Sequence, residues 1–177
     1  PVQAIRSDGR TLSASGLDGN TRQGYLDLQQ PVTLVLESDR GRITAGRTRW
    51  LFSAEQLESD QPIQAELKNS KVQGRGFKLD QRTGTVIISN SCRVEQTLET
   101  LTAQRCAWNW RSERVVADGD VVLQRTEPEQ ITRASRMEAK ISDDGAIRFG
   151  QAGARVESTI KLSPAAQEKP RRPQVSF

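Results

Sequence analysis

The chain has 177 residues, of which 34% are hydrophobic and 27% are charged, and it contains no histidine. This length suits one domain or one elongated array of small units, and the low hydrophobic content favours a sheet protein with one apolar face. The lack of histidine excludes Ser-His-Asp catalysis and removes the commonest general base and metal ligand. The net charge of +4 slightly favours anionic partners but identifies none.

Residues 1–24 open the chain, and the stretch SDGRTLSASGLDGN (7–20) is rich in glycine and serine. We interpret this segment as a partial structural unit. The abrupt start at Pro1 is consistent with a processed N-terminus, since no signal peptide is visible. No stretch of the sequence reaches the roughly 20 apolar residues of a membrane helix.

Between residues 25 and 162, a polar turn followed by an apolar stretch recurs about every thirty residues. The residues that open these stretches are Val32, Ile63, Val94, Leu123 and Val156. A second phrase recurs between them with the same period, and its arginines are Arg47, Arg75, Arg105 and Arg133. Two registers with one period predict a repeat of small β-units; the alternative is an ordinary all-β meander with polar turns.

Each unit is predicted to contain two short antiparallel strands and two turns. The glycine-containing segments QRTGT (81–85), ADGD (117–120) and SDDGA (142–146) are typical of hairpin turns. SAEQLES (53–59) would form at most one helical turn, and no window has the 3.6-residue apolar period of a longer helix. The sequence therefore predicts an all-β domain over residues 25–162, built from repeated antiparallel hairpins.

Large apolar side chains recur at spacings of two, which places each pair on one face of a strand. The pairs are Trp50 with Phe52, Phe77 with Leu79, and Trp108 with Trp110. Such a face can be the ordinary core of a β-sandwich or the wall of a binding groove, and one face can serve both purposes.

Cys92 and Cys106 flank the stretch RVEQTLETLTAQR, in which TLET (97–100) is predicted to turn. A hairpin that folds about residue 99 places the two cysteines opposite each other, whereas folding one residue earlier places them on opposite faces. We expect a disulfide in an oxidising compartment; the alternative is two buried free thiols.

Other chemistry finds little support in the sequence. A zinc site needs four ligands, and besides carboxylates only the two cysteines are candidates. No phosphate-binding P-loop occurs. The pair Asp143 and Asp144 lies beside a glycine and is typical of a turn. We therefore expect a non-enzymatic protein without a metal or cofactor.

Two longer segments carry a family resemblance. In SDQPIQAELKNSKVQGRGFKLDQRTGTVIIS (59–89), an S-D-x-P turn leads to a glycine-flanked aromatic strand, an acidic turn and an apolar strand. The second segment is DGDVVLQR (118–125), followed by ITRASRMEAKISDDGAIRFGQAGARV (131–156). Over residues 25–162 this pattern resembles the OstA/LptA/LptC superfamily of lipopolysaccharide transport proteins, and LptC-type members most. The membrane helix with which such members usually begin is not part of this sequence.

The resemblance implies an open, OstA-like β-jellyroll whose groove binds lipopolysaccharide in the periplasm and passes it from the inner towards the outer membrane. The implied groove residues are Trp50, Phe52, Phe77, Leu79, Val94, Trp108, Trp110, Leu123, Ile141 and Phe149. The implied partners are lipopolysaccharide, an inner-membrane ABC transporter complex and other jellyroll Lpt proteins, which would dock through edge strands. An inner-membrane anchor would come from a segment outside this chain.

The expected edges lie at the two ends of the repeat. The N-terminal edge is predicted at YLDLQQPVTLVL (25–36) and the C-terminal edge at ARVESTIKL (154–162). Residues 163–177 contain three prolines without periodicity, and we interpret them as a disordered tail. The tail could instead fold over the C-terminal edge.

Two other functions compete with lipid transfer. Arginines interleaved with aromatic residues could bind nucleic acid by stacking on bases and contacting phosphates, although we expect no nucleic-acid partner because acidic residues are dispersed throughout. These residues are Arg47, Arg49, Trp50, Arg105, Trp108, Trp110 and Arg111. A purely structural β-repeat module is the other alternative.

Overall fold

The computed structural model describes residues 1–37, 40–152 and 156–161, and these residues form sixteen strands that join in one antiparallel sheet. The strands are β1 (Val2–Ile5), β2 (Thr11–Ala14), β3 (Leu17–Asn20), β4 (Tyr25–Leu28), β5 (Val32–Val35), β6 (Arg42–Ala45), β7 (Thr48–Leu51), β8 (Gln56–Glu66), β9 (Lys71–Asp80), β10 (Thr85–Gln96), β11 (Glu99–Ala103), β12 (Arg105–Asn109), β13 (Arg114–Thr126), β14 (Glu129–Ile141), β15 (Ile147–Ala152) and β16 (Val156–Lys161). The all-β prediction is confirmed. The described residues contain no helix with the length and apolarity of a membrane span.

Five long strands, β8, β9, β10, β13 and β14, each take part in two sheets because they bend near their middle. The strand register shifts at Ser59/Pro62, at Asn90/Arg93 and at Asp118/Val121. Such β-bulges bend a strand and increase its twist. The two halves of β8, β10, β13 and β14 therefore pair with different short strands, whereas both halves of β9 pair with β8 and β10. The continuous sheet thus folds over into a β-jellyroll.

The first sheet runs in the order β1, β2, β5, β6, β8, β9, β10, β11, β13, β14 and β16. Its register aligns one buried apolar side chain on each of eight neighbouring strands. These residues are Leu12, Leu34, Ile43, Ala65, Val72, Val94, Leu101 and Leu123. We call them the first apolar row.

The second sheet runs in the order β3, β4, β7, β8, β9, β10, β12, β13, β14 and β15. Its register aligns a second apolar row, of which all members but the half-buried Trp50 are buried. The row consists of Trp50, Leu57, Leu79, Val86, Trp108, Val115, Ala139 and Phe149. The buried residues of both rows belong to one core cluster, against which Trp50 packs, so the two sheets enclose a common interior.

The thirty-residue period corresponds to one bent hairpin. The residues that open the apolar stretches all lie in the first sheet, on β5, β8, β10, β13 and β16. QRTGT and SDDGA form the predicted turns, between β9 and β10 and between β14 and β15. SAEQLES forms a turn and the start of β8.

The predicted hairpin turn at ADGD (117–120) is wrong, because these residues continue β13 through its bend. Gly119 and Asp120 adopt positive φ angles of 81° and 45°, as turn residues do. However, β13 pairs with β14 on both sides of them, from Arg114 to Thr126. The extra residues are taken up by a bulge rather than by a chain reversal.

The predicted N-terminal edge at residues 25–36 is also wrong. β4 lies between β3 and β7, and β5 lies between β2 and β6, so both strands are paired on both sides. The edges of the two sheets at this end are β1 and β3, which belong to the segment interpreted as a partial unit. At the other end the edges are β16 in the first sheet and β15 in the second. Residues 163–177 lie outside the described residues.

Candidate functional site

Eight of the ten predicted groove residues are buried in the common interior. They are Phe77, Leu79, Val94, Trp108, Trp110, Leu123, Ile141 and Phe149. Trp50 and Phe52 are half-buried near the N-terminal end of the second sheet, where their rings pack edge to face with centroids 6.3 Å apart. The structure therefore brings the eight buried residues and Trp50 to one apolar interior that both sheets line, whereas Phe52 lies beside Trp50 and outside the core cluster.

Opposite the bends, the turns of the first sheet meet those of the second sheet along a polar seam. At one point of this seam, Trp110 Nε1 donates to Glu37 Oε1 at 3.0 Å, and Arg40 donates to the Trp110 carbonyl at 2.8 Å. Arg111 lies 3.4 Å from the same Glu37 oxygen. We call this group the first clasp. The Trp110 hydrogen bond is the main cause that lowers the pKa of Glu37, and Arg111 adds to it.

The seam continues past the first clasp towards the N-terminal edge. Arg6 donates to the side chain of Gln81 at 3.3 Å, which joins the β1–β2 turn to the β9–β10 turn. Beside it, Arg10 is buried and pairs with Asp8 at 2.7 Å. The hydrogen bond from the Arg10 side chain lowers the pKa of Asp8 to about 2.

A second clasp closes the seam farther along. The Gln96 side chain donates to the Ile147 carbonyl at 2.7 Å and accepts from the Ile147 N–H at 2.7 Å. Ser70 Oγ lies 2.7 Å from the carbonyl of Gly145 and donates to it. Asn69 donates to the carbonyl of Asp144. The amide of Gln96 thus acts towards β15 as the backbone of an adjacent strand would.

Between the two clasps lies a cleft of about 480 Å³, which we call the inter-clasp cleft. Its apolar lining comes from Leu67, Trp108, Trp110 and Ile141, and Arg40 and Lys68 also line it. The volume falls in the range of small-molecule sites, roughly 300–1,000 Å³. Among the described residues, the buried Nε1 of Trp108 has no hydrogen-bond acceptor.

Sequence reasoning missed the polar residues of the seam, namely Glu37, Arg40, Lys68, Ser70 and Gln96. Each lies in a short polar run next to an apolar stretch, a pattern typical of any solvated turn. The hydrogen bonds of Glu37, Arg40, Ser70 and Gln96 join residues that lie 26 to 75 positions apart, so no local signal could have identified them.

Two polar clefts, of about 760 and 750 Å³, lie on the outer side of the bends. The first is lined by residues such as Gln104, Arg105 and Asp120, and Gln104 donates to Asp120 at 2.8 Å. In the second, Arg49 pairs with Asp27 at 2.9 Å. Local ion pairs thus line both clefts, since Arg105 also lies 3.7 Å from Asp118 in the first.

The residues proposed for nucleic-acid binding do not form a stacking surface. Trp108 and Trp110 are buried in the interior. Arg47 and Arg49 both pair with Asp27, at 3.1 and 2.9 Å, and the hydrogen bond from Arg49 is the main cause that lowers the pKa of this carboxyl. Stacking on bases requires exposed aromatic faces, so this arrangement argues against the alternative.

Cys92 and Cys106 form a disulfide with a Cα–Cα distance of 5.9 Å. The hairpin turn does lie in TLET, but the register pairs Cys92 with Ala103, so neither of the two hairpin registers considered from the sequence applies. The strand is interrupted at Gln104, between β11 and β12, and the chain crosses there to the second sheet. In the second sheet, Cys106 pairs with Ile88. The disulfide therefore ties the two sheets together beside the bend of β10.

The described residues contain no cluster of three or more His, Cys, Asp or Glu side chains that could hold a metal ion. The arrangement offers instead two opposed apolar rows, a polar seam that closes them and one cleft through that seam.

No protein-family model and no curated protein matches the sequence. Among solved structures, the fold is similar to that of LptH from Pseudomonas aeruginosa, the LptA homologous periplasmic component of the conserved lipopolysaccharide transport device. The TM-score is 0.53 at 15% sequence identity, over 64% of this chain and 85% of that chain. At this identity the similarity establishes a shared LptA-like β-jellyroll fold.

Proposed function

We propose that this protein binds lipopolysaccharide in the periplasm and transfers it along a bridge between the inner and outer membranes. The observation that carries the proposal is the pair of apolar rows. Each row crosses eight neighbouring strands without a charged residue, which at about 4.8 Å per strand amounts to about 34 Å. Acyl chains could lie along such rows while the sugars stay in water.

Acyl-chain burial sets the energetics of this function. Each buried CH₂ contributes about 0.8 kcal/mol, so one 14-carbon chain contributes on the order of 10 kcal/mol. Spontaneous release would then be slow, and directional transport requires work. Because the chain has no P-loop, we propose that an inner-membrane ABC transporter complex supplies this energy. The jellyroll would keep the free-energy change of each transfer step close to zero, because the acyl chains pass from one apolar groove to the next.

The edge strands provide the proposed route to other jellyrolls. β1 and β3 end the two sheets on one side, and β16 and β15 end them on the other. Unpaired edges recruit further strands, so related jellyrolls could dock at both ends and extend the apolar rows. We place the transporter at the β1 and β3 end and the next carrier at the other.

Within the superfamily, we propose an LptC-like role, because residues 59–89 carry the resemblance to LptC-type members. An inner-membrane anchor would then be encoded upstream of Pro1. The gene sequence tests this directly: a membrane helix there supports the LptC-like role, and a cleavable signal peptide favours an LptA-like role.

Photo-crosslinking tests lipid binding. A photoreactive phenylalanine analogue replaces Trp50 or Phe149, the two ends of the second apolar row, and lipopolysaccharide is added. The matched controls are the exposed neighbours Arg49 and Arg148, whose side chains point to the opposite face. We expect lipid adducts from Trp50 and Phe149 and none from the controls. Folded protein without an adduct at either interior position would contradict the proposal and favour a purely structural β-repeat module.

A further inference from the structure

We infer that the outer face of the second sheet, where β10, β12, β13, β14 and β15 form it, lies on the surface of an anionic phospholipid bilayer. This contact is separate from the proposed function, because the outer face points away from the interior that would hold the acyl chains. Two features of the face indicate the bilayer, namely a row of unpaired cations and an apolar strip beside that row.

Three cations lie directly opposite one another on neighbouring strands, Arg114 on β13, Lys140 on β14 and Arg148 on β15. We call them the cationic row. All three are exposed, whereas chain neighbours such as Val115 and Ala139 are buried, so the cations point to the outer face. Among the described residues, none of the three forms an ion pair or a side-chain hydrogen bond.

Like charges in directly opposed positions destabilise a sheet, and opposite charges stabilise it. One outer row of the first sheet follows this rule across four strands, with Arg42, Glu66, Lys71 and Glu95. Where Asp18 lies opposite Asp27 in the second sheet, two arginines pair with Asp27. The cationic row has no such compensation within the described residues, so an external anion would stabilise it.

The acids closest to the cationic row in sequence lie in the turns along the seam. Glu113 and Asp143 line the inter-clasp cleft. Asp144 accepts a hydrogen bond from Ser142 Oγ, which holds it within the β14–β15 turn. This hydrogen bond is the main cause that lowers the pKa of Asp144, and the charge of Arg148 adds to it. Negative charge at this end of the sheet therefore lies along the seam, and positive charge lies on the outer face.

An apolar strip runs beside the cationic row on the same face. It consists of Ile87, Ala107 and Val116, which lie directly opposite one another on β10, β12 and β13. Ile87 is 37% exposed, and the other two side chains are half-buried. A soluble polyanion would use the cations of this face but not the strip. Binding at a bilayer surface uses both, since it depends on buried apolar area and on attraction to anionic lipids.

The acids on this portion of the outer face are already paired. Asp118 lies 3.7 Å from Arg105, and Glu138 lies 3.0 Å from Arg136. These pairs leave the positive charge of the cationic row available to lipid head groups.

Sedimentation with lipid vesicles tests the contact. The unmodified protein should bind vesicles that contain phosphatidylglycerol but not pure phosphatidylcholine vesicles, and added salt should weaken the binding. Each basic residue at an anionic surface contributes a factor of about five, so Arg114→Gln combined with Lys140→Gln should weaken binding about 25-fold. The matched control, Arg42→Gln combined with Arg133→Gln, removes the same charge from the outer face of the first sheet and should leave binding nearly unchanged.

The apolar strip is tested separately. Ile87→Ser should weaken vesicle binding about fourfold or more, which is the effect of one buried CH₂ group. The control Leu98→Ser should change nothing, because Leu98 is 51% exposed at the β10–β11 turn, away from this face. Absence of binding to phosphatidylglycerol, or equal binding by the two double variants, overturns the inference. Binding to polyglutamate as tight as to vesicles and insensitive to Ile87→Ser would indicate an acidic protein partner and overturn it as well.

Nuclear magnetic resonance of the unmodified protein gives a second measurement that does not depend on the variants. Spin-labelled phosphatidylglycerol in bicelles should broaden the methyl resonances of Ile87 and Val116. It should spare Val122, which lies on the same strand as Val116 but on the outer face of the first sheet. Equal broadening of Val116 and Val122, or none at either, overturns the bilayer contact. The lipopolysaccharide crosslinks at Trp50 and Phe149 report on the interior, so they test the proposed function independently.

Discussion

The Gln96→Ala substitution should destabilise the protein by opening the second clasp. Gln96 lies at the end of β10 and satisfies both backbone groups of Ile147, the first residue of β15, through two hydrogen bonds of 2.7 Å. Ile147 is 2% exposed, so water cannot readily replace the lost partner.

The expected cost follows from the two groups left without partners. A buried polar group that loses its hydrogen bond costs about 1–3 kcal/mol, so the free energy of unfolding should fall by about 2–6 kcal/mol. Ile147 begins its strand, where relaxation is easiest, which favours the lower half of this range. The matched control is Gln73→Ala on β9, a half-buried glutamine whose side chain has no hydrogen-bond partner among the described residues. Its effect should stay within about 0.5 kcal/mol.

Urea denaturation of the two variants and the unmodified protein measures these differences. Amide hydrogen exchange provides a local check, because the N–H of Ile147 should lose protection in Gln96→Ala. If Gln96→Ala and Gln73→Ala unfold at the same urea concentration with equal slopes, the second clasp does not stabilise the fold and the reasoning is wrong.

Three further predictions concern the disulfide, the first clasp and the C-terminal edge. Replacing both Cys92 and Cys106 by alanine opens a loop with a sequence separation of 14 and should cost about 3 kcal/mol; alkylation of both cysteines in unreduced protein would refute the bridge. The pKa of Glu37 is lowered below its usual 4.5, mainly by the Trp110 hydrogen bond, so its contribution to stability is present above pH 4.5 and is lost as the pH falls through the lowered value. Glu37→Gln should therefore reduce the acid-induced fall of the melting temperature, and an unchanged profile would contradict this role. Thr159→Pro in the edge strand β16 should weaken binding of a partner jellyroll in surface plasmon resonance while the melting temperature stays nearly constant; unchanged affinity would count against docking at this edge.

The interior of the fold was largely predictable because alternation along a strand is a local property. Successive side chains of an extended chain point to opposite faces, so Leu79, Val94 and Trp108 had to share a face with their neighbours at a spacing of two. The thirty-residue period likewise reflects a unit that repeats along the chain. The turns at 81–85 and 142–146 were predictable because each contains a glycine, Gly84 or Gly145, that adopts the positive φ angle of a tight turn.

The two wrong predictions, the turn at ADGD and the edge at residues 25–36, both depended on contacts with distant strands. ADGD has the local chemistry of a hairpin turn, yet the strands on both sides of it pair with β14 and turn it into a bend. Residues 25–36 look free to pair in sequence, yet β3 pairs with β4 and β2 pairs with β5. Both outcomes depend on which distant strand is available.

The sequence by itself determined the all-β class, the length of the repeating unit and the side chains that face the interior, since these follow from backbone geometry and from the spacing of apolar residues. Only the tertiary structure decided the edges, the crossing of the disulfide between sheets, the clasps and the unpaired donor of Trp108. Those features join residues far apart in the chain, such as Glu37 and Trp110 at a separation of 73. Strand pairing and the closure of the two sheets determine which distant groups meet. Neither can be recognised from the residues of a short stretch of sequence.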